Sequence, residues 1–200
     1  MRRFLAIGLL VLALGNGWVS AATPPETVVQ QTSERMLESL RQNRQTIDRD
    51  PGQIYRLVNE IVLPNFDFEL MSRWVLGRAW QQANPEQRRQ FAEEFRTLLV
   101  RSYARALLEY ADGAIKVAPG GAPAGDEATI RTEAQPKSGR PIQINYSMHL
   151  GNDAWKVYDV TVDGISLVTN YRDTFASQIR ANGMEAVIAD LRQRNAGTAR

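Results

Sequence analysis

Cysteine is absent from this chain of 200 residues, and histidine occurs only once, as His149. A chain without thiols forms neither disulfides nor thiolate metal sites, and cysteine catalysis is excluded. His149 falls on the polar face of a predicted strand, and a metal or catalytic role would require partner residues such as a second histidine. We therefore expect His149 to be a surface or hydrogen-bonding residue and the fold to depend on its apolar core.

Sequence patterns of common enzyme classes are missing as well. Ser166 lacks the G-x-S-x-G context of an esterase nucleophile, and no glycines form the G-x-x-x-x-G-K-[ST] loop that cradles phosphate. Asp67 and Glu69 fit a helix start better than a catalytic carboxylate pair. Asp159 and Asp163 have no evident base, nucleophile or metal partner. The sequence thus predicts a protein that is not an enzyme and has no metal or cofactor.

The only long apolar run is at the N-terminus. Arg2 and Arg3 precede an apolar stretch over residues 4–14, and the small residues Val19-Ser20-Ala21 follow. This order is typical of a secretory signal peptide, and the run is shorter than the roughly 20 residues of a membrane-spanning helix. We predict a signal peptide over residues 1–21, cleaved between Ala21 and Ala22, and export to the periplasm of a Gram-negative bacterium.

An excess of positive charge is also lacking once the signal is removed. The full chain has 24 basic and 22 acidic residues, and two of the basic ones are Arg2 and Arg3. The mature chain is therefore formally neutral. Nucleic acids and anionic membrane surfaces attract basic proteins, so neither is expected as the main partner. The remaining length of about 180 residues suits a single domain.

Helical periodicity predicts a helix-rich first half. Apolar residues recur at helical spacing, and Asp, Asn and Pro occupy helix-start positions. The predicted helices cover residues 25–44, 50–63, 67–77 and 84–111, with two more near the C-terminus, ending at about 181 and 194.

The period changes from helical to alternating after Gly113. Alternation predicts four strands over residues 114–118, 128–134, 141–150 and 154–162. Short turns such as Gly151-Asn-Asp153 join them, which indicates antiparallel neighbours. Helices, then a meander, then helices again indicate an α+β fold with a twisted, mainly antiparallel sheet of four to five strands. The apolar face of the third strand should meet the helices.

Three stretches resemble the MlaC family of toluene-tolerance proteins. The first comprises Leu63-Pro-Asn-Phe-Asp-Phe68 with Met71-Ser72, Leu76-Gly77 and Trp80. The second is the helix with Pro85-Glu-Gln87, Phe91, Glu94-Phe95, Leu98-Leu99 and Tyr103. The third contains Trp155-Lys-Val-Tyr-Asp-Val160, Gly164-Ile-Ser-Leu-Val168, Asn170-Tyr-Arg172 and Phe175. Together they span most of the chain after the signal.

The resemblance implies a soluble carrier that holds phospholipid in an apolar cavity enclosed by the sheet and its helices. Residues 22–200 would form one lipid-binding domain, expected to be a monomer. Its implied partners are the inner-membrane Mla ABC transporter complex and an outer-membrane lipoprotein–porin complex, and its role is to maintain outer-membrane lipid asymmetry. A lipoprotein chaperone, a small enzyme and a ligand-free adaptor of an ABC transporter remain alternatives.

Candidate residues for contact with the acyl chains are chosen by their apolar character and by the strand or helix face on which they lie, together with the family resemblance. A tyrosine hydroxyl, that of Tyr103 or Tyr171, is expected near the headgroup. The predicted lipid-lining residues are Phe95, Leu98, Leu99, Tyr103, Ile144, Tyr146, Met148, Val160, Val162, Val168 and Tyr171.

Overall fold

The computed structural model describes residues 22–119 and 123–197. The predicted signal peptide lies outside these ranges, as do residues 120–122 of the proline- and glycine-rich segment 119–125, for which the sequence predicts a turn. Within them the helices precede a sheet, and two further helices end the chain. The α-helices are α1 (Pro25–Gln42), α2 (Arg44–Arg49), α3 (Gln53–Leu57), α4 (Phe68–Leu76), α5 (Arg78–Gln82), α6 (Pro85–Tyr103), α7 (Leu167–Asn182) and α8 (Met184–Gly197).

Side-chain caps fix the starts of α4 and α6. Asp67 accepts a hydrogen bond from the amide of Leu70 at 2.8 Å and so begins α4, as the sequence predicts. Asn84 and Gln87 form a reciprocal capping box at the start of α6. Because these caps satisfy amides that have no partner within the helix, they place both starts at defined residues.

Two predicted helices lose α geometry in their second halves. Residues Val58–Val62 form a π-helical turn and Leu63–Asn65 a 3₁₀ turn, directly after α3. The predicted helix over residues 84–111 is α-helical only to Tyr103 and continues as a 3₁₀ helix over Ala104–Tyr110. Such stretches have poorer hydrogen-bond geometry than an α-helix and often mark functional positions.

The sheet has five strands in sequential order, and every neighbouring pair is antiparallel. The strands are β1 (Ala114–Val117), β2 (Glu127–Gln135), β3 (Ile142–Gly151), β4 (Ala154–Val162) and β5 (Ile165–Ser166). This confirms the predicted α+β architecture. The fifth strand is the two-residue pairing of β5 with the end of β4.

A bulge in β4 decides which of its residues face the helices. Tyr146 pairs with Val160, whereas Met148 pairs with Val157, so Tyr158 is an extra residue on β4. Trp155 and Val157 therefore lie on the same face as Val160, although in a regular strand residues an odd number of positions apart lie on opposite faces. That face is the apolar one, and it also carries Ala128, Ile130, Ile142, Ile144, Tyr146, Met148 and Val162.

The buried apolar residues form three clusters. The four-helix cluster joins α4, α6, α7 and α8 and contains Phe91, Phe95 and Phe175. The sheet cluster joins the apolar sheet face to Val29 of α1. The α1–α3 cluster packs Leu40 and Ile54 against the C-terminal end of α6 and the 3₁₀ helix that follows it.

Asp159 links β4 to the start of α7, and its replacement should destabilise the protein. Its Oδ2 accepts from the Ser166 hydroxyl at 2.6 Å and its Oδ1 from the Val168 amide at 3.1 Å. Asp159→Asn removes an acceptor and a negative charge from a helix N-terminus. The free energy of unfolding in urea should fall by about 1–2 kcal/mol. Asp173→Asn, on the exposed side of the same helix, is the matched control, and an equal loss in both variants would contradict this role for Asp159.

Candidate functional site

A small interior cavity lies where the sheet cluster meets the α1–α3 cluster. Its volume is about 100 Å³. The sheet supplies Ile115, Tyr146 and Val157, while Val62, Asn65 and Phe66 approach from the segment before α4. Leu107 of the 3₁₀ helix completes this side. Both helical stretches that lack α geometry therefore contribute to the cavity wall.

Helix α1 forms the opposite wall with one continuous face. Val28, Val29, Thr32, Ser33 and Met36 line the cavity. Their spacing of one and four residues places them on the same side of an α-helix. Val29 and Met36 are buried, whereas the other three are partly exposed. The helix thus presents both apolar and hydroxyl groups to the cavity.

The polar groups of the wall are neutral. The Asn65 amide Nδ2 donates to Oγ1 of Thr32 at 3.0 Å and to the carbonyl oxygen of Ile61 at 3.2 Å. Ser33 contributes a second hydroxyl and Tyr146 a phenol. None of the described residues that line the cavity is charged. The cavity therefore suits an uncharged, mainly hydrocarbon ligand moiety.

Tyr146 is the residue of the predicted lipid-lining set that lines this cavity. It belongs to the apolar sheet face, between Ile144 and Met148. Burial raises the pKa of Tyr146 to about 12, and its hydrogen bond to Thr132 acts in the opposite direction. Its phenol is therefore neutral at physiological pH and adds no charge to the cavity.

The raised pKa of Tyr146 predicts alkaline destabilisation. In the unfolded chain the phenol ionises near its ordinary pKa of about 10, whereas in the folded protein it stays neutral up to about 12. The unfolded state loses its proton first, so the free energy of unfolding should fall as pH rises through this window. Between about pH 9 and about pH 11.5 the contribution of Tyr146 is about 2 kcal/mol. In Tyr146→Phe, the free energy of unfolding in urea should lack this decrease of about 2 kcal/mol. If that free energy falls with pH as steeply as in the wild type, the raised pKa of Tyr146 would be contradicted.

Five predicted residues lie elsewhere, in the four-helix cluster. Phe95 stacks edge-on against Tyr171, with ring centroids 5.3 Å apart, and is fully buried. Leu98, Leu99 and Val168 belong to the same cluster. Because aromatic and aliphatic neighbours surround these five side chains, they pack as helical core and lie outside the cavity lining.

The remaining predicted residues follow the sheet. Met148 is fully buried in the sheet cluster beside the cavity. Ile144 and Val162 pair across β3 and β4, and Val160 pairs with Tyr146. All three are partly exposed, so an apolar strip extends from the cavity along the sheet. Tyr103 is 40 % exposed at the end of α6.

Tyr103 also lies beside Tyr171. Burial, then the nearby Tyr171 phenol and a hydrogen bond between the two hydroxyls, raise the pKa of Tyr103 to about 12. The two tyrosines that the sequence proposed for a headgroup contact thus lie together, joining α6 to α7.

A second, more open recess of about 420 Å³ borders the β3–β4 hairpin. His149 Nε2 lies 2.9 Å from Oδ2 of Asp67, and Phe66 and Phe68 stack with centroids 5.7 Å apart. Lys156 Nζ donates to the Pro64 carbonyl at 2.5 Å. These contacts attach the start of α4 to the sheet, and they confirm the hydrogen-bonding role predicted for His149. Phe66 lines both this recess and the cavity.

Two other kinds of site are absent from residues 22–119 and 123–197. No group of three or more metal-ligating His, Asp or Glu side chains is found there. Likewise, none of the helices in these ranges has the length and hydropathy needed to cross a membrane.

The fold and the cavity define an α+β protein with an apolar interior site between a meander sheet and its helices. A family model described as "MlaC protein" matches residues 30–193. The chain therefore belongs to the MlaC family, as the three sequence stretches indicated.

Relatives with recorded names support this assignment. The chain is 32% identical over 185 residues to the toluene tolerance protein ttg2D of Pseudomonas putida, covering 92% of this chain and 86% of that protein. It is 26% identical over 178 residues to the intermembrane phospholipid transport system binding protein MlaC of Haemophilus influenzae, covering 86% and 83% respectively. A phospholipid-binding protein from Ralstonia solanacearum, solved in complex with a phospholipid, superposes with a TM-score of 0.78 at 26% identity, covering 89% of this chain and all of that one.

The α1 wall is the part of the site that sequence reasoning missed. Val29 and Met36 follow the apolar spacing of the predicted helix over residues 25–44, but that spacing does not connect their neighbours Val28, Thr32 and Ser33 with a site. The available signal was the Thr-Ser pair at the boundary of an apolar helix face. On a helix packed only against dry core, those positions would more often be apolar.

Proposed function

We propose that this protein is a periplasmic phospholipid carrier that holds acyl chains between α1, the segment before α4 and the apolar face of the sheet. The observation that carries the proposal is the uncharged cavity continuing into a partly exposed apolar strip. Family membership and the phospholipid bound to a structural relative support it. The predicted residues Ile144, Tyr146, Met148, Val160 and Val162 all belong to this face.

The physical need for such a carrier is large. Each methylene group exposed to water costs about 0.8 kcal/mol, so two long acyl chains cost on the order of 20 kcal/mol. Unassisted passage through the aqueous periplasm is therefore negligibly slow. A carrier has to supply an apolar environment for the chains and requires no covalent chemistry, which agrees with the absence of enzyme motifs in the sequence.

Loading requires the cavity to widen. Sites for small organic ligands commonly measure roughly 300–1,000 Å³, and the cavity measures about 100 Å³. Val62 and Asn65 line the cavity from the stretch without α geometry after α3, and Leu107 lines it from the one after α6. We infer that these stretches shift as acyl chains enter, because their hydrogen bonds are weaker than those of a regular helix.

The partners of this carrier follow from the family assignment. We propose that residues 1–21 direct export and that residues 22–200 act as one domain, a monomer in the periplasm. It would exchange phospholipid with the inner-membrane Mla ABC transporter complex and with an outer-membrane lipoprotein–porin complex. This exchange would maintain the lipid asymmetry of the outer membrane.

A vesicle-transfer experiment tests carriage separately from binding. Donor vesicles with radiolabelled phospholipid and unlabelled acceptor vesicles are kept apart by a porous membrane that passes proteins and retains vesicles. Label should reach the acceptor side in proportion to the protein added, and bovine serum albumin at equal concentration gives the nonspecific background. Protein that carries bound lipid but transfers no label above this background would contradict the carrier role.

A further inference from the structure

The hydroxyl and amide groups on the cavity wall are not needed to hold hydrocarbon. Thr32, Ser33 and Asn65 stand on facing walls, α1 and the segment before α4, and all three are partly exposed. The buried lining residues Val29, Met36 and Val157 are apolar. The buried part of the lining is therefore wholly apolar, and the hydroxyl and amide groups lie in its partly exposed part, beside further apolar side chains. A diacyl lipid has the same gradient, with ester groups between its chains and its headgroup.

The hydroxyl groups of Thr32 and Ser33 favour a ligand that accepts hydrogen bonds. Thr32 Oγ1 accepts from Asn65, so its own proton is left to donate. The Ser33 hydroxyl has no hydrogen-bond partner among residues 22–119 and 123–197. A ligand oxygen that only accepts hydrogen bonds would satisfy both donors.

Charge decides which acceptor fits. Proteins recognise phosphate oxygens mainly with arginine, lysine or arrays of backbone amides. Here the described lining residues include no cation, and the donors are neutral hydroxyls on a helix side. Uncharged ester carbonyl oxygens match this donor set, whereas a phosphate would lose its water without an opposite charge.

We propose that Thr32 and Ser33, held in place by Asn65, form a subsite for the ester carbonyls of a diacyl lipid. The subsite orients the lipid with its chains toward Val29 and Val157 and its headgroup outward, past α1. This inference rests on the proposed lipid-binding function and adds that the protein recognises the ester carbonyl groups of the lipid.

A competition between ester and ether lipids tests the subsite. The mature protein, stripped of lipid, is loaded from an equimolar mixture of dipalmitoyl phosphatidylglycerol and its di-O-hexadecyl ether analogue, and the bound lipids are quantified by mass spectrometry. Both probes carry the same phosphate and chain length, so only the carbonyls differ. The diester should be favoured about fivefold for each hydrogen bond made.

Substitutions in the subsite test whether these residues cause the preference for the diester lipid. Thr32→Val keeps the side-chain shape and removes the hydroxyl. Asn65→Leu removes the amide that holds Thr32. In both variants the ratio of bound diester to bound diether should fall toward one. Thr97→Val on α6, whose hydroxyl donates to the Glu93 carbonyl, is the control and should keep it. Equal loading of the two lipids by the wild type, or a preference that survives both variants, would overturn the subsite while leaving lipid binding intact. Failure to load either lipid would instead overturn the proposed function.

Discussion

Leu107→Trp should weaken the equilibrium binding of phospholipid about 50-fold. Leu107 lines the cavity from the 3₁₀ helix and is only partly buried, so a larger side chain can be accommodated without overpacking a closed core. An indole there would take the space of about three methylene groups, and excluding these from the protein interior costs about 2–3 kcal/mol of binding free energy. The measurement is lipid extracted per mole of protein after incubation with vesicles.

Leu108→Trp is the matched control for this change. Leu108 is the next residue on the same 3₁₀ helix, is 37% exposed and lies outside the cavity lining. The two variants receive the same new side chain in the same element, so a general effect on the helix would appear in both. Wild-type lipid content in Leu107→Trp, or equal losses in the two variants, would show that the chains bind elsewhere.

Gly113→Ala should destabilise the folded protein by about 3 kcal/mol or more. A Cβ atom at this position would lie 2.0 Å from the carbonyl oxygen of Gln135 and 3.1 Å from Cα of Pro136. Both are backbone atoms, so no side-chain rotation relieves the clash, and β1 would have to move away from β2. The free energy of unfolding in urea measures this loss.

Gly197→Ala provides the comparison for Gly113→Ala. Gly197 ends α8 and has no atom within 4 Å of the position of an added Cβ. Its replacement should change stability by less than about 1 kcal/mol. Because Ile115 follows Gly113 by two residues and lines the cavity, Gly113→Ala should also reduce lipid content. A Gly113→Ala protein as stable as the wild type would contradict the described turn into β1.

The strands could be predicted closely from the sequence because alternation and turn residues are local signals. The four long strands begin and end within one residue of the predicted bounds. The bulge at Tyr158 could not be predicted, since a strict period of two places Val157 and Val160 on opposite faces. The helix ends were harder for a similar reason. Apolar spacing continues through Val58–Val62 and Ala104–Tyr110, but it does not distinguish α from π or 3₁₀ geometry.

The candidate site could be predicted only on its sheet side. Tyr146 follows from alternation along β3, because one face of a half-buried strand has to be apolar. Phe95 and Leu99 are equally apolar, yet they pack against Phe175 and its neighbours in the four-helix cluster. Periodicity identifies a buried helix face without indicating which element covers it. The contribution of α1 depends on tertiary contacts with the segment before α4, which the Thr32-Ser33 pair alone does not specify.

If this protein binds diacyl phospholipid in the cavity between α1 and the sheet, the lipid should remain with it through purification. The mature protein is purified from a bacterial periplasm without detergent and extracted with organic solvent, and the lipids are quantified by mass spectrometry. Diacyl phospholipid should be present in stoichiometric amount. Protein that is free of lipid, and remains so after incubation with phospholipid vesicles, would contradict lipid binding in this cavity and favour a ligand-free adaptor.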